Sequence, residues 1–253
     1  MKHIFNLLLA IVLLGSCSGA GNKNNDAMQS KPVEVVHATA DQVLRRQQSE
    51  AYCTAHGVPV YSNKNALFPP PADSVTLRTS DEVINRTLAL LYIGLKSEGL
   101  DQEGLDEINT DYGIYEKLSP KEKAYVFAKE PEEQQKIDAN WRYEAMHVLL
   151  WSLGYIDTLA FPNQVCDVAA DVKIIHDLTP ADFRKQARLR SKTEILDMND
   201  RVLRLHWACV ESRVNKKPAP AALDEDVVRE WHHALNWLIR HLAQDWDKIT
   251  TNT

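Results

Sequence analysis

A mainly α-helical domain is what this sequence predicts, and three observations predict it. Only nine glycines occur in 253 residues, too few for the many tight turns of a β fold. The stretches between proline and glycine breakers are long and place apolar residues three and four apart, the helical period. Several of these stretches begin with Ser, Thr or Asp at the position of a helix cap. The expected architecture is a single multi-helix globular domain with a loop-rich N-terminal part, ending in an antiparallel helical hairpin. An apolar fraction of 44% and a charged fraction of 25% suit a globular core. Net charge is −6, and no basic stripe marks a nucleic-acid partner, so none is expected.

The N-terminus predicts a leader. Lys2 and His3 precede an apolar run from Ile4 to Leu14, interrupted by Asn6. The run is too short to span a bilayer core, which takes roughly 20 helical residues, and it fits a secretory signal. It ends in Leu14-Gly15-Ser16-Cys17, which resembles a bacterial lipobox. That resemblance implies residues 1–16 as signal peptide and Cys17 as a diacylglyceryl, usually triacylated, N-terminus. Several acyl chains together hold a protein on a membrane where one holds only marginally. The alternative is an ordinary signal peptide cut near Ala20. Residues 17–40, rich in Gly, Asn, Lys and Ser, then read as a flexible tether with a reach on the order of 25 Å. Residues 41–253 form the helical domain.

Along that domain, Asp41 is placed to cap a first helix stopping at Gly57, and Pro59 with Pro69-Pro70-Pro71 makes the following segment extended. Thr79-Ser80-Asp81 opens a helix through Val83, Ile84, Leu88 and Leu91. Gly94, Gly99 and Gly104 read as helix-end and turn glycines, because no phosphate-loop lysine follows them. Ser119-Pro120 with Glu122, and Pro131, read as further helix starts. Asn140–Leu153 is apolar on nearly every side and ends at Gly154, which predicts a central helix. Residues 155–180 are loop-rich, with a short apolar piece from Val168 to Ile175, and Thr179-Pro180 begins the next helix. The stretch from Arg190 to Val214 is one long amphipathic helix. Asp224 caps a last helix whose stripe is Val228, Trp231, Leu235, Leu238 and Leu242, and Trp246 beyond it is placed to clamp the C-terminal tail.

Cys17 aside, Cys53, Cys166 and Cys209 remain, an odd number for an oxidising compartment. Cys53 and Cys166 could pair; the sequence leaves this open. No CxxC suggests a redox or zinc site.

The candidate site residues lie on three helices. Asn199, His206 and Arg213 fall along the apolar face of the long helix. Burying unpaired polar groups costs about 1–3 kcal/mol each, so these need partners. One explanation is a structural network fixing how helices dock. The other is a pocket between the long, central and last helices, gathering Arg142 or Glu144, His147, Arg204, His206, Glu230, His232 and Asn236. Glu144 and His147 are three apart and share a face. The pocket could support general acid–base chemistry. However, the sequence holds no nucleophile elbow, Ser-x-x-Lys, Walker loop or dinucleotide fingerprint. His232 and His233 are adjacent and so diverge on a helix. No metal or cofactor is expected.

Several segments in order resemble the DUF4272 family, a bacterial family of unknown function. They are Trp141-Arg142-Tyr143-Glu144-Ala145, Leu149-Leu150-Trp151-Ser152-Leu153-Gly154, Leu189-Arg190-Ser191 with Glu194-Ile195-Leu196-Asp197, and Arg204-Leu205-His206-Trp207-Ala208. Ala234-Leu235-Asn236-Trp237-Leu238, Trp246-Asp247 and Thr253 complete the set. The resemblance covers the chain from about Asp41 onward and implies no activity, substrate or cofactor. A membrane-anchored lipoprotein acting as a non-catalytic protein- or ligand-binding module, with an envelope partner, is the expectation. An enzyme built around His206, hydrolytic or otherwise, is the alternative, and a purely structural envelope protein a third.

Overall fold

Side-chain caps set most helix boundaries in this protein, and the helices then stack in an order fixed by which faces are apolar. The computed structural model describes residues 37–63 and 65–253. The leader, Cys17 and the tether as far as residue 36 fall outside the described residues. Among the described residues there are nine α-helices and no strand, as the glycine scarcity predicts. No described helix is long and apolar enough to cross a membrane.

The first helix, α1 (Ala40–Ala55), is capped by Thr39 rather than Asp41, which sits inside the first turn and accepts from the Ala72 amide. α2 (Ser80–Ser97) opens with a reciprocal capping box between Thr79 and Glu82. α3 (Gln102–Tyr112) follows a turn at Gly99. α4 (Pro120–Val126) starts with the Ser119–Glu122 box and proline at its first position. α5 (Glu133–Ser152) extends a full two turns further toward the N-terminus than its apolar segment. α6 (Val168–His176) and α7 (Pro180–Gln186) are short, and α8 (Lys192–Val214) begins at a Ser191–Glu194 box. α9 (Glu225–Leu238) is capped by the Asp224 carboxylate.

The main packing partners run α2, α5, α9, α8, α1, with each helix against the next. α5 is therefore covered on two sides, by α2 and α9, as its all-round apolarity predicts. Residue pairs 199 with 236, 206 with 232 and 213 with 225 show that α8 and α9 run antiparallel, the expected hairpin. Between α7 and α8 the chain crosses the end of α5. There the Arg188 and Arg190 amides bond to the Leu153 and Ser152 carbonyls, each at 2.8 Å. Gly154, at φ +81°, makes the turn that permits this crossing.

Two expectations fail for tertiary reasons. Gly94 ends no helix; it lies inside α2, where an added Cβ would come within 2.4 Å of the Tyr143 ring on α5. Close approach of the two helices demands glycine there. Gly94→Ala is expected to cost about 1–3 kcal/mol by overpacking this contact, measurable as a shift in urea midpoint. Leu242 is not part of the buried stripe: α9 stops at Leu238, Arg240 turns at φ +54°, and Leu242 is 71% exposed. The reason is that Arg78 donates from its amide to the Leu238 carbonyl and from its guanidinium to the Trp237 carbonyl. The final carbonyls of α9 are satisfied without a further turn.

Candidate functional site

The polar residues picked out by sequence lie in a layer between α5, α8 and α9, but they resolve into separate clusters rather than one pocket. On the α8–α9 seam, Asn199 Nδ2 donates to Asn236 Oδ1 at 2.9 Å, and Asn236 Nδ2 donates to the Thr250 carbonyl at 2.8 Å. One turn along, His206 and His232 meet Nδ1 to Nδ1 at 2.9 Å, with rings nearly perpendicular. One ring must donate and the other accept, so at least one of the two imidazoles is neutral at Nδ1.

Both histidines are buried, and burial drives their pKa values down. His206 falls to about 4, with Arg229 and Arg213 adding to the effect, and His232 moves well down the same way, with His206 adding. His233, on the adjacent face, falls to about 3 through burial and then Arg142. Its ring packs edge-on against Trp246, and its Nε2 is buried without a partner.

These depressed values fix the sign of a pH dependence. The neutral rings stabilise the fold fully above the ordinary histidine value of about 6.5, and that contribution is lost as pH falls toward about 4. Each such histidine weakens the fold by at most about 1.4 kcal/mol per pH unit in this window. Urea midpoints are expected to drop between pH 7 and pH 5, and His206→Gln is expected to flatten that drop.

Arg204 does not reach these histidines. It pairs with Asp200 on the same helix at 2.8 Å and donates to the Leu67 carbonyl, stitching the extended segment onto α8. Arg213 corrects the sequence expectation outright. Its side chain is 65% exposed and pairs at 2.8 Å with Glu225, the first residue of α9, at the rim of the α8–α9 contact. His206 forms the floor of a shallow depression shared with Arg213, Glu225, Arg229 and the tail residues Thr251 to Thr253. His206 and Asn236 are only 5% and 4% exposed, and each is hydrogen-bonded within the α8–α9 seam.

On α5, Arg142 and Glu144 face different clusters. Arg142 pairs with Glu230 at 2.7 Å and lies over the Trp246 ring. Burial pushes the Glu230 carboxyl up, against the pull of Arg142. Trp246 is sandwiched from its other neighbours by Arg86, Trp237 and His233, so it clamps the C-terminal segment as expected. Beside it a cleft of about 250 Å³ opens, walled by Ile93, Lys121, Tyr125, Gln135, Arg142 and Trp246. Sequence reading missed this cleft because its walls come from α2, α4, α5 and the tail.

Glu144 and His147 share the other face of α5. Glu144 Oε1 accepts from the Cys166 amide at 2.7 Å and Oε2 from Trp231 Nε1 at 3.0 Å. His147 Nδ1 bonds to Asp171 Oδ2 on α6 at 2.8 Å. His147 thus stays apart from the His206–His232 pair. Cys166 completes the group: donor atoms of His147, Cys166 and Asp171 lie within 4.8 Å of one another. Burial, then Glu144 and Asp171, push the Cys166 thiol up, so it is held protonated. Cys53, Cys166 and Cys209 are all free thiols; Cys53 and Cys166 do not pair, since Cys53 is buried beside α8 and Cys166 beside α5.

Fold and site together define an all-helical domain organised around a buried polar layer. The chain belongs to the DUF4272 family, described as a domain of unknown function, whose family model matches residues 45–249. No curated protein and no solved structure matches it.

Proposed function

We propose that this protein is a lipid-anchored lipoprotein of the bacterial envelope whose helical domain is a non-catalytic binding module. The ligand is a small polar molecule or a partner's side chain seated in the cleft beside Trp246. The composition of that cleft carries the reading. Its lining sets the Trp246 and Tyr125 rings beside charges of both signs, Lys121 and Arg142 with Glu122, Asp138 and Asp247. An aromatic face beside charges of both signs and an amide suits recognition of a polar ligand. Anchoring rests on the Leu14-Gly15-Ser16-Cys17 run and its basic, apolar leader.

Ala124 lines the cleft from the solvent side, so Ala124→Trp fills it without entering the core. A thermal-shift screen against sugars, amino acids and nucleotides is expected to yield stabilising compounds whose effect disappears in Ala124→Trp. Stabilisation that survives in this variant would place binding elsewhere. Metabolic labelling with a fatty acid is expected to mark the wild type and not Cys17→Ser; label retained in the variant overturns the anchor.

A further inference from the structure

Glu144 and Asp171 are two carboxylates, each 3% exposed, in a region of the core that supplies no strong cation to either. Glu144 accepts from the Cys166 amide, from Trp231 Nε1 and from the Cys166 thiol; Asp171 meets His147 and the same thiol. Elsewhere the core balances its buried carboxylates with arginine, as in Arg86–Glu122, Arg142–Glu230 and Arg204–Asp200. Ionised carboxylates taken out of water without a balancing charge are costly. This cluster departs from the rule the rest of the protein follows.

We propose that His147, Cys166 and Asp171 bind one divalent transition-metal ion of the zinc class, with Glu144 as the neighbouring carboxylate that orients the site. The donors suit such an ion, since imidazole, thiolate and a single carboxylate form a borderline-soft set, unlike the all-oxygen sets of magnesium or calcium. The spacing suits it as well. Tetrahedral zinc, with bonds of about 2.0–2.3 Å, separates its donors by roughly 3.3–3.8 Å. The three donors already lie within 4.8 Å, and side-chain adjustment alone closes the remainder.

The surroundings hold these groups in place. His147 and Glu144 project from the central helix α5, and Asp171 sits one turn into α6. Glu144 fixes the loop carrying Cys166 through that residue's amide, while Trp231 holds the second Glu144 oxygen and stacks on the His147 ring. Partners of this kind orient metal ligands. His147 and Cys166 are only half-buried, so an ion can reach the site from solvent. On binding, the Cys166 thiol loses its proton to solvent as the sulfur–metal bond forms. The His147 nitrogen that turns from Asp171 to the metal must carry no proton, so any proton there passes to Nε2 or to solvent. No electron changes hands. The thiolate and the divalent ion together add a net charge of +1 beside two buried carboxyl groups.

The test uses the purified protein, stripped with chelator and titrated with cobalt(II) alone. One equivalent is expected to bind with a thiolate-to-cobalt charge-transfer band and the intense visible bands of a tetrahedral site, both displaced by zinc(II). Cys166→Ala is expected to abolish the charge-transfer band, and Cys53→Ala and Cys209→Ala to retain it. Glu144→Gln is expected to weaken affinity about 10–100-fold, as for an outer partner, and Asp171→Asn by more. If a variant fails to fold, the wild type still decides. Zinc(II) is expected to protect Cys166 from alkylation, read by peptide mapping with Cys53 and Cys209 as buried references. Folded wild type that gives no cobalt band and no protection of Cys166, or a band that persists in Cys166→Ala, overturns the site. Neither result bears on ligand binding in the Trp246 cleft, which Ala124→Trp tests separately.

Discussion

Replacing Arg204 with methionine is expected to destabilise the domain by about 3–5 kcal/mol. Asp200 is fully buried, and its two oxygens take the Arg204 guanidinium at 2.8 and 3.4 Å. Methionine keeps much of the packing but leaves that carboxylate uncompensated in the core. It also removes the 2.7 Å bond to the Leu67 carbonyl, which ties residues 58–75 to α8. The effect should therefore appear in equilibrium urea unfolding and also as faster amide exchange in that segment. The double variant Asp200→Leu with Arg204→Met is expected to recover much of the loss, since removing both charges is often near neutral. A single-variant loss below about 1 kcal/mol would instead place the pair among ordinary solvated ion pairs.

Trp246→Ala is expected to cost about 3–5 kcal/mol, the range for truncating a large buried aromatic. Four groups lose their partner at once: the His233 and Trp237 rings, with centroids 4.5 and 5.5 Å away, and the Arg86 and Arg142 guanidiniums. The next residue, Asp247, accepts from Ser119 Oγ at 2.6 Å and from the Lys121 amide at 2.9 Å, so the tail also helps cap α4. Release of the tail would expose the Asn236–Thr250 bond to water. Limited proteolysis is expected to remove residues beyond about 245 from the variant and not from the wild type. Leu242→Ala serves as the control. Its side chain is exposed, and a surface truncation of this kind is expected to stay within about 0.5 kcal/mol.

Much of the fold was legible because its determinants are local. Thr79 with Glu82, Ser119-Pro120 with Glu122, and Asp224 each start a helix where the sequence places a cap. Gly57 and Gly154 end helices with positive φ, as glycine permits at little cost. The apolar character of Asn140–Leu153 marked a helix packed on two sides, and the antiparallel pairing of α8 with α9 followed from two amphipathic helices joined by a proline-containing link.

The site was legible only as a set of suspects. Helical periodicity shows that Asn199 and His206 face inward, but it cannot name their partners. Asn236 and His232 become partners only when α9 docks in register. Arg213 has the same periodicity as His206 and yet is exposed, because it meets the first residue of α9 at the end of the α8–α9 contact. Cys166 and Asp171 carried no motif spacing, since their companions Glu144 and His147 lie about twenty residues earlier, across a loop.

The sequence alone thus determined the helical class, several helix starts, the apolar character of α5 and the inward setting of Asn199 and His206 on α8, all of which depend on neighbours within a few residues. Tertiary structure alone decided that Gly94 must be glycine, that α9 stops at Leu238, and that the inward polar groups form separate pairs instead of one pocket. The physical reason is that hydrogen-bond geometry, steric contact and charge balance depend on distances across packed helices. Those distances exist only once the helices have docked.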